Sequence, residues 1–376
     1  MAASTPSASL VPRVALAGFY DSGNFGDDLS AVLFGLTLRR FGIPCAVYGL
    51  CEPYARRFGF ERAPNPDRLL DGAGALVWGG GGLLVSWSPV TYRLLYAAAA
   101  SRLDRLVRAA LHGAFPVLLA SVGGDGRPLQ ALRPRYKADL VAAARSVTVR
   151  NPQDRDSLRQ LNRDATYFPD ISWGLSRVLP LERRRGGRLR IGIDLYPSNL
   201  VRQGALHLLP RLQAAVTARQ DCDFVCVDTT NASRRPYRGI GGVLRGANVS
   251  RYQFRDLHDD LAFVGSLDAV FSSRFHLPIV AMQCGVPAFS IIAERKTRLL
   301  YENLGLERFC VGRDRLGDLL ARTSGGAGLE GHIRGFEFPD VARLGAASLG
   351  HGETLRDALE GLARPAPAAS NDRRGA

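Results

Sequence analysis

The chain has 376 residues, which is long for one hydrophobic core and suits two domains. It is 46% hydrophobic and 22% charged, an ordinary composition for a globular protein, and no run of about 18 apolar residues predicts a transmembrane helix. The formal net charge of +14 favours an anionic partner, but the arginines are spread out and form no nucleic-acid-binding stripe. We therefore predict no nucleic-acid partner.

Apolar runs alternate with helical segments, and this alternation predicts an α/β fold with two Rossmann-like domains facing a cleft. In the first half, apolar runs lead into glycine-rich breaks, as in "VALAGFY", "ALVWGGGGLL" and "FPVLLASVGGDGRP". The segment "RVLPLERRRGGR" separates this first series of apolar runs from a second series, which begins at "LRIGIDLY". We predict a disordered arm (1–13), an N-terminal domain (14–180), a linker (181–188), a C-terminal domain (189–345), a C-terminal helix (346–364) that returns to the first domain, and a disordered tail (365–376).

The first of these loops, "GFYDSGNFGDDLS", joins a buried strand directly to a helix. Gly23 supplies torsional freedom, and Asn24 tolerates a left-handed conformation. Asp27 stands at the helix start, where a carboxylate either caps free N–H groups or binds the hydroxyls of a sugar. The loop contains neither GxGxxG nor a P-loop motif, so it does not predict a dinucleotide or triphosphate site.

The second loop is the glycine run at positions 79–82, which includes Gly80 and Gly81. Its backbone N–H groups lie at a strand end with no acidic residue nearby in the sequence, so it is a candidate anion cradle. A tight, packed turn is the alternative.

The third stretch, "FSSRFHLPIVAMQCGVPAFSIIAERK", places polar residues where an apolar strand ends. Arg274 offers a planar fork for a carboxylate or phosphate. His276 exchanges a proton near neutral pH, or else is a structural histidine. Lys296 is notable because the chain has only one other lysine, Lys137.

The six cysteines show no CxxC pair, and we expect reduced, mostly buried thiols in a cytosolic protein. No spacing typical of metal ligands is visible either. We therefore predict neither a metal site nor a disulfide framework.

These three stretches, in this order, resemble the motifs of the polysaccharide pyruvyl transferase family, over roughly residues 18–306. The segments "RNPQDRDSL" and "FPDISWGL" are similar to two further family motifs. Three positions depart from the family pattern: Asn151 replaces an aspartate, Asp154 a serine and Ala293 an aromatic residue.

The resemblance implies a GT-B-like enzyme that transfers the enolpyruvyl unit of phosphoenolpyruvate to two sugar hydroxyls, forms a pyruvate ketal and releases phosphate. It implies no cofactor, with phosphoenolpyruvate as co-substrate. His276 would relay the proton, with Arg274 beside it and Asp27 as base. The implied donor-binding residues are Arg274, Phe275, His276, Lys296, Arg150, Gly80 and Gly81. The implied acceptor-binding residues are Gly23, Asn24, Asp27 and Asp170.

Two alternatives remain open from the sequence. One is a GT-B nucleotide-sugar glycosyltransferase, for which Asp228 in "VDTT" is the candidate ribose ligand. The other is a catalytically silent glycan-binding relative. The basic surface also suits a lipid-linked acceptor and peripheral contact with the anionic inner face of a membrane.

Overall fold

The computed structural model describes residues 13–85, 97–312 and 328–363, apart from positions 128, 130, 131, 134, 185, 203, 235, 292 and 293. The tail predicted for 365–376 lies outside this range. So does the arm predicted for 1–13, except Arg13, which begins the first strand.

The first domain is built on a parallel sheet of seven strands with the order β3-β2-β1-β4-β5-β6-β7. Its strands are β1 Arg13–Ala17, β2 Cys45–Tyr48, β3 Glu61–Ala63, β4 Ala73–Gly79, β5 Val117–Val122, β6 Ala144–Val149 and β7 Thr166–Tyr167. Its described helices are α1 Phe25–Arg40, α2 Glu52–Phe58, α3 Pro66–Leu70, α4 Ala97–His112, α5 Arg135–Ala143 and α6 Pro152–Arg159. Buried apolar residues cover both faces of the sheet, as parallel strands require.

The second domain repeats this arrangement with a parallel sheet of six strands in the order β10-β9-β8-β11-β12-β13. Its strands are β8 Leu189–Asp194, β9 Cys222–Asp228, β10 Val249–Gln253, β11 Ala269–Ser272, β12 Ala288–Ile291 and β13 Cys310–Val311. Its helices include α7 Pro197–Arg202, α8 Leu208–Ala218, α9 Leu257–Gly265, α10 His276–Gln283 and α11 Arg295–Asn303.

Both sheets are doubly wound: the first strand of each domain lies inside the sheet, the next two strands are added on one side of it, and the later strands are added on the other side. The direction of winding therefore switches between β1 and β4, and again between β8 and β11, and ligands of such sheets bind at the carboxyl ends there. The predicted α/β class with two Rossmann-like domains is confirmed.

Three helices end the described chain: α12 Leu329–Arg334, α13 Val341–Ser348 and α14 Gly350–Ala363. Where the sequence predicts one helix over 346–364, the structure has two that meet at Leu349. The last helix packs on the first domain. His351 lies 2.7 Å from the Thr148 hydroxyl through Nδ1 and 3.0 Å from the Pro169 carbonyl through Nε2.

The two domains share an apolar core and do not merely face each other. The Phe25 ring, at the start of α1, meets Phe254 of the second domain edge-on with centroids 4.7 Å apart. Helix α1 is consequently buried on nearly all sides. Among the described residues, no helix combines the length and the hydropathy needed to cross a membrane.

Candidate functional site

The loop after β1 is fixed by the second domain. The Phe25 N–H donates to the Thr229 carbonyl at 2.9 Å, and the Asn231 N–H donates to the Gly23 carbonyl at 2.8 Å. Gly23 carries the left-handed conformation with φ of 71°, whereas Asn24 is extended with φ of −84°. Of the two residues able to adopt the left-handed conformation, the glycine does so, because it has no Cβ and pays no steric cost.

Asp27 lies at the first turn of α1 and is 8% exposed. Its Oδ2 accepts hydrogen bonds from Asn24 Nδ2 at 2.8 Å and from the Ser22 hydroxyl at 3.2 Å. The predicted acceptor residues Asn24 and Asp27 thus meet in one hydrogen-bonded pair. Their role toward a sugar remains a prediction.

The glycine run at the end of β4 packs against this same turn. Gly80 and Gly81 have φ of 70° and 76°, and a Cβ on Gly81 would lie 3.4 Å from Asp27 Oδ1. The run therefore has an acidic neighbour in space that is distant in the sequence, because the fold brings α1 over it. The Gly80 N–H is also taken, since it donates to the Ala120 carbonyl at 2.7 Å. Gly80 is therefore not a donor for an anion, and the packed turn describes it better.

A buried cluster of three side chains lies where the domains meet. Arg150 directly follows β6, Asp170 precedes the 3₁₀ helix Ile171–Arg177, and His276 is the first residue of α10. Arg150 Nη1 donates to Asp170 Oδ2 at 2.9 Å and lies 3.4 Å from His276 Nε2. The same carboxylate oxygen is 3.8 Å from His276 Nε2. Two elements of the first domain and one of the second therefore meet at a single carboxylate.

Asp170 is ionised in this cluster. Burial alone would raise its pKa, but the nearby His276 ring and the charge of Arg150 hold the pKa well below its usual range. The residue is 2% exposed, and its Oδ1 accepts the Ser172 N–H at 2.9 Å and also the Ser172 hydroxyl. Both carboxylate oxygens are engaged within the protein, and Asp170 holds the Arg150 guanidinium beside His276. Its role in acceptor binding remains a prediction.

His276 reaches this position because residue 26 is a glycine. A Cβ on Gly26 would lie 1.7 Å from His276 Nδ1, far inside van der Waals contact. The imidazole therefore lies directly against the first turn of α1. The sequence indicates His276 as a candidate for the site but contains no signal that pairs it with Gly26.

The Phe275 ring packs against two members of this cluster, Arg150 and His276. The Arg150 guanidinium lies over its ring at 4.3 Å from the centroid, and the His276 ring meets it edge-on at 5.0 Å. Phe275 is only 4% exposed, and its role in donor binding remains a prediction. It packs under the two groups that could bind the donor directly.

Arg274 occupies a separate position at the switch point between β8 and β11. Its guanidinium lies 4.5 Å from the centre of the Tyr196 ring, and its buried Nε has no hydrogen-bond partner. No described carboxylate forms an ion pair with it. Burial would lower the pKa of Arg274, but the nearby Tyr196, Asp194 and Glu294 raise it, so the guanidinium keeps its charge. Among the residues that the structure describes, two carboxylates thus act on this cation without forming an ion pair with it.

Lys296, in the first turn of α11, is paired with an acid that the sequence analysis did not single out. Its Nζ lies 3.2 Å from Glu294 Oε2. The other lysine, Lys137, is buried in the first domain and donates to the Val85 carbonyl at 2.7 Å. Burial, and after it the charge of Lys296, lowers the pKa of Lys137 to about 7. The two lysines of the chain are therefore electrostatic neighbours across the domain boundary.

Asp228, the candidate ribose ligand of the glycosyltransferase alternative, is already satisfied. Its Oδ1 accepts the Tyr196 hydroxyl at 2.7 Å and the Thr230 N–H at 2.8 Å. Its Oδ2 accepts the Gly239 N–H at 3.2 Å and also the Arg238 N–H. A ribose hydroxyl would have to displace one of these bonds in order to bind Asp228.

Asn151 and Asp154, two of the residues that depart from the family pattern, are hydrogen-bonded to each other. Asn151 Nδ2 donates to Asp154 Oδ2 at 2.8 Å, and the Gly124 N–H donates to the same oxygen at 2.6 Å. Asp154 thereby fixes the loop after β5, against which Arg150 packs: a Cβ on Gly123 would lie 2.0 Å from Arg150 Nε. In the part of the chain that the structure describes, no group of three His, Cys, Asp or Glu side chains is arranged to hold a metal ion.

Comparison with solved structures finds proteins of similar fold over most of the chain. The UDP-GlcNAc 2-epimerase of Methanocaldococcus jannaschii, in complex with UDP-GlcNAc and UDP, is 6% identical, with 93% of this chain and 99% of that chain covered and a TM-score of 0.57. The UDP-GlcNAc 2-epimerase of Neisseria meningitidis, bound to UDP-GlcNAc, is 11% identical, with 92% and 99% covered and a TM-score of 0.50. No family model and no curated protein matches the sequence. At these identities the likeness shows the fold, and it agrees with the predicted GT-B-like architecture.

Proposed function

We propose that this protein is a transferase that moves the enolpyruvyl group of phosphoenolpyruvate onto two hydroxyls of a sugar. The observation that carries the proposal is Arg274, a charged guanidinium at the switch point that forms no ion pair within the described chain. A small donor with a carboxylate and a phosphate would supply the missing counter-charge. The buried His276 nearby in the chain would supply the proton.

The reaction needs a proton on the vinyl carbon of the donor and two oxygen nucleophiles at the adjacent carbon. His276 would protonate the vinyl carbon, and the first sugar hydroxyl would attack the oxocarbenium-like centre. The second hydroxyl would then displace phosphate. One hydroxyl proton balances the proton placed on carbon, and the other leaves with phosphate. Asp27, aligned by Asn24, is the candidate base for an acceptor hydroxyl.

The remaining cations of the cleft would act on the negative charge of the donor. Lys296 would be a direct ligand once it leaves Glu294. Arg150 is committed to Asp170, so we assign it to orienting His276 and not to holding the donor. The positive net charge suits an anionic or lipid-phosphate-linked acceptor at an anionic membrane surface.

A nucleotide-sugar glycosyltransferase is the second candidate. It is favoured by the two UDP-GlcNAc 2-epimerases of similar fold, both of which were solved with UDP-GlcNAc bound. It is disfavoured by Asp228, whose oxygens are engaged, and by the loop after β8, "DLYPSN", which has no glycine for a pyrophosphate.

Calorimetric titration of phosphoenolpyruvate, with UDP-, GDP- and CMP-sugars in parallel, separates these candidates. We expect phosphoenolpyruvate to bind, Arg274→Ala to weaken it strongly, and Arg298→Ala, an exposed arginine on α11, to leave it unchanged. In the presence of an acceptor, His276→Ala should abolish ketal formation. Binding of a nucleotide sugar, without binding of phosphoenolpyruvate, would refute the proposed function and support the nucleotide-sugar glycosyltransferase. Binding of a glycan without any donor would indicate a catalytically silent relative.

A further inference from the structure

Two segments of the second domain contain no acidic residue. Positions 195–220 and 229–255 include neither Asp nor Glu, although 35 of the 376 residues of the chain are acidic. The first segment forms α7 and α8, and the second forms the 3₁₀ helix Ile240–Gly242 and the loops around it. They connect β8 to β9 and β9 to β10. Because both connections are right-handed and advance in the same direction, they lie on the same face of the sheet.

Hydrogen bonds join these two segments side by side. The Arg245 N–H donates to Gln213 Oε1 at 2.8 Å, and Gln213 Nε2 donates to the Arg245 carbonyl at 2.6 Å. Nearer the carboxyl end of the sheet, the Ile240 N–H donates to the Leu195 carbonyl at 2.9 Å, just before α7 begins. The exposed residues of 201–218 and 238–247 therefore form one surface, which we call the basic face.

The basic face exposes large aliphatic side chains. Val201 is 62% exposed, Leu206 49% and Val243 45%. They are three of the six large apolar residues that are exposed in the described chain, so this exposure is concentrated on the basic face. Removing apolar surface from water is favourable, and a group of exposed apolar side chains indicates a contact surface.

Exposed arginines lie among these aliphatic side chains. Arg211 is on α8, and Arg238 and Arg245 flank the 3₁₀ helix. Within the part of the chain that the structure describes, no carboxylate forms an ion pair with any of the three. Their charges are thus available to an anionic partner, and no acid in either segment opposes them.

We propose that the basic face is the surface through which this protein docks on an anionic lipid bilayer. The arginines would contact headgroup phosphates, while Val201, Leu206 and Val243 enter the boundary between headgroups and acyl chains. A single-stranded nucleic acid would also attract the arginines, but it is held by stacking on aromatic rings, whereas the exposed apolar side chains here are aliphatic. The combination of aliphatic and basic side chains therefore favours lipid.

The basic face adjoins the candidate site. Helix α7 exposes Val201 and also contacts the switch point, because Asn199 Nδ2 donates to Ser273 Oγ at 3.1 Å, next to Arg274. Docking would hold the cleft beside the membrane, where a lipid-linked acceptor would be presented. The inference goes beyond the proposed function and does not depend on the donor, since the face would bind headgroups whatever reaction the cleft performs.

The test is sedimentation of the full chain with two kinds of vesicle, phosphatidylcholine alone and equal parts of phosphatidylcholine and phosphatidylglycerol. We expect binding to the mixed vesicles only, and weaker binding at higher salt. Leu206→Gln should weaken it about tenfold, because less apolar surface enters the bilayer. Arg211→Gln combined with Arg245→Gln should weaken it roughly 30-fold, since each arginine near an anionic surface contributes about fivefold.

The matched controls lie in the first domain. Leu161→Gln changes a leucine that is 41% exposed, and Arg40→Gln combined with Arg145→Gln removes the same net charge from exposed positions. Both controls should bind the mixed vesicles much as the wild type does. Circular dichroism at rising temperature verifies that all the variants are folded.

Three outcomes would overturn the inference. They are no binding to the mixed vesicles, equal losses in the two double variants, which would assign binding to net charge, and binding of single-stranded RNA in place of vesicles. Vesicle binding without any binding of phosphoenolpyruvate would support the inference and refute the proposed function. Binding of phosphoenolpyruvate without vesicle binding would do the reverse, so the two failures are distinguishable.

Discussion

The contact between Gly26 and His276 predicts that a single methyl group will disturb the site. In Gly26→Ala, the new Cβ would lie 1.7 Å from His276 Nδ1, 2.3 Å from Cγ and 2.6 Å from Cε1. Ordinary contacts of this kind are about 3.5–4 Å, so the ring must move by roughly 2 Å. Such a movement removes the ring from Arg150 and Asp170, whose atoms lie 3.4 Å and 3.8 Å from Nε2.

The size of the effect follows from two opposing terms. Replacing a glycine inside a helix by alanine raises the free energy of unfolding by about 1 kcal/mol. Overpacking of a filled interior costs about 1–3 kcal/mol. We therefore expect the free energy of unfolding to fall by about 0–2 kcal/mol. The proposed transfer should suffer far more, since a misplacement of about 1 Å costs roughly 100-fold in rate.

Urea unfolding and the NMR resonances of the His276 ring measure these two consequences separately. Gly361→Ala is the matched control, because it lies in helix α14 and a Cβ there meets nothing within 4 Å. The control should be more stable than wild type by about 1 kcal/mol and should leave the His276 resonances unchanged. If Gly26→Ala behaves like Gly361→Ala in both measurements, the packing of His276 on α1 is refuted.

Three further predictions concern buried charges. Asp170→Asn leaves the Arg150 guanidinium buried without its partner and should lower the free energy of unfolding in urea by about 3–5 kcal/mol, whereas Asp156→Asn, in an exposed pair, should change it by less than about 1 kcal/mol. Burial, and then Lys296, lowers the pKa of Lys137 to about 7, so the folded protein binds fewer protons than the unfolded chain above that pH, and stability rises between pH 7 and about 10. Urea titrations of Lys137→Met should lack that rise, and an unchanged pH profile would contradict the burial of the charge. Burial raises the pKa of Asp260 to about 8, against hydrogen bonds that lower it, so its stabilising contribution is complete below pH 4 and is lost as the pH rises through 8. Asp260→Asn should reduce this loss, and the same loss in variant and wild type would assign it to other groups.

The fold was largely predictable because its signals are local. Each apolar run of four to seven residues that ends in glycine or polar residues became a strand of a parallel sheet, and the break after Arg177 separates the two domains. The core shared by the domains was not predictable. The contact of Phe25 with Phe254 joins residues more than two hundred positions apart, and no periodicity records which face of one domain meets the other.

The candidate site was predictable residue by residue but not as an arrangement. Asp27 and His276 were singled out by their positions at helix starts, and Arg150 and Asp170 by the resemblance to family motifs. The carboxyl ends of parallel strands do meet at one edge. The partners of these side chains were not predictable, because charge alone does not show which acid will neutralise which base. Glu294 escaped notice for this reason, as it looks like any acid that precedes a helix.

Arg150 and Arg274 differ in the surroundings that the fold gives them, and this difference says more about their roles than the sequence motifs do. Both offer the same guanidinium, and both lie near the same cleft. Arg150 is neutralised by Asp170, so its charge stabilises the cluster around His276 and contributes little attraction for a ligand. Arg274 packs on Tyr196 and forms no ion pair with any described residue, so its charge remains to attract an anion. A buried counter-charge, and not the identity of the residue, therefore separates Arg150, which would orient the proposed proton donor, from Arg274, which would hold the proposed donor substrate.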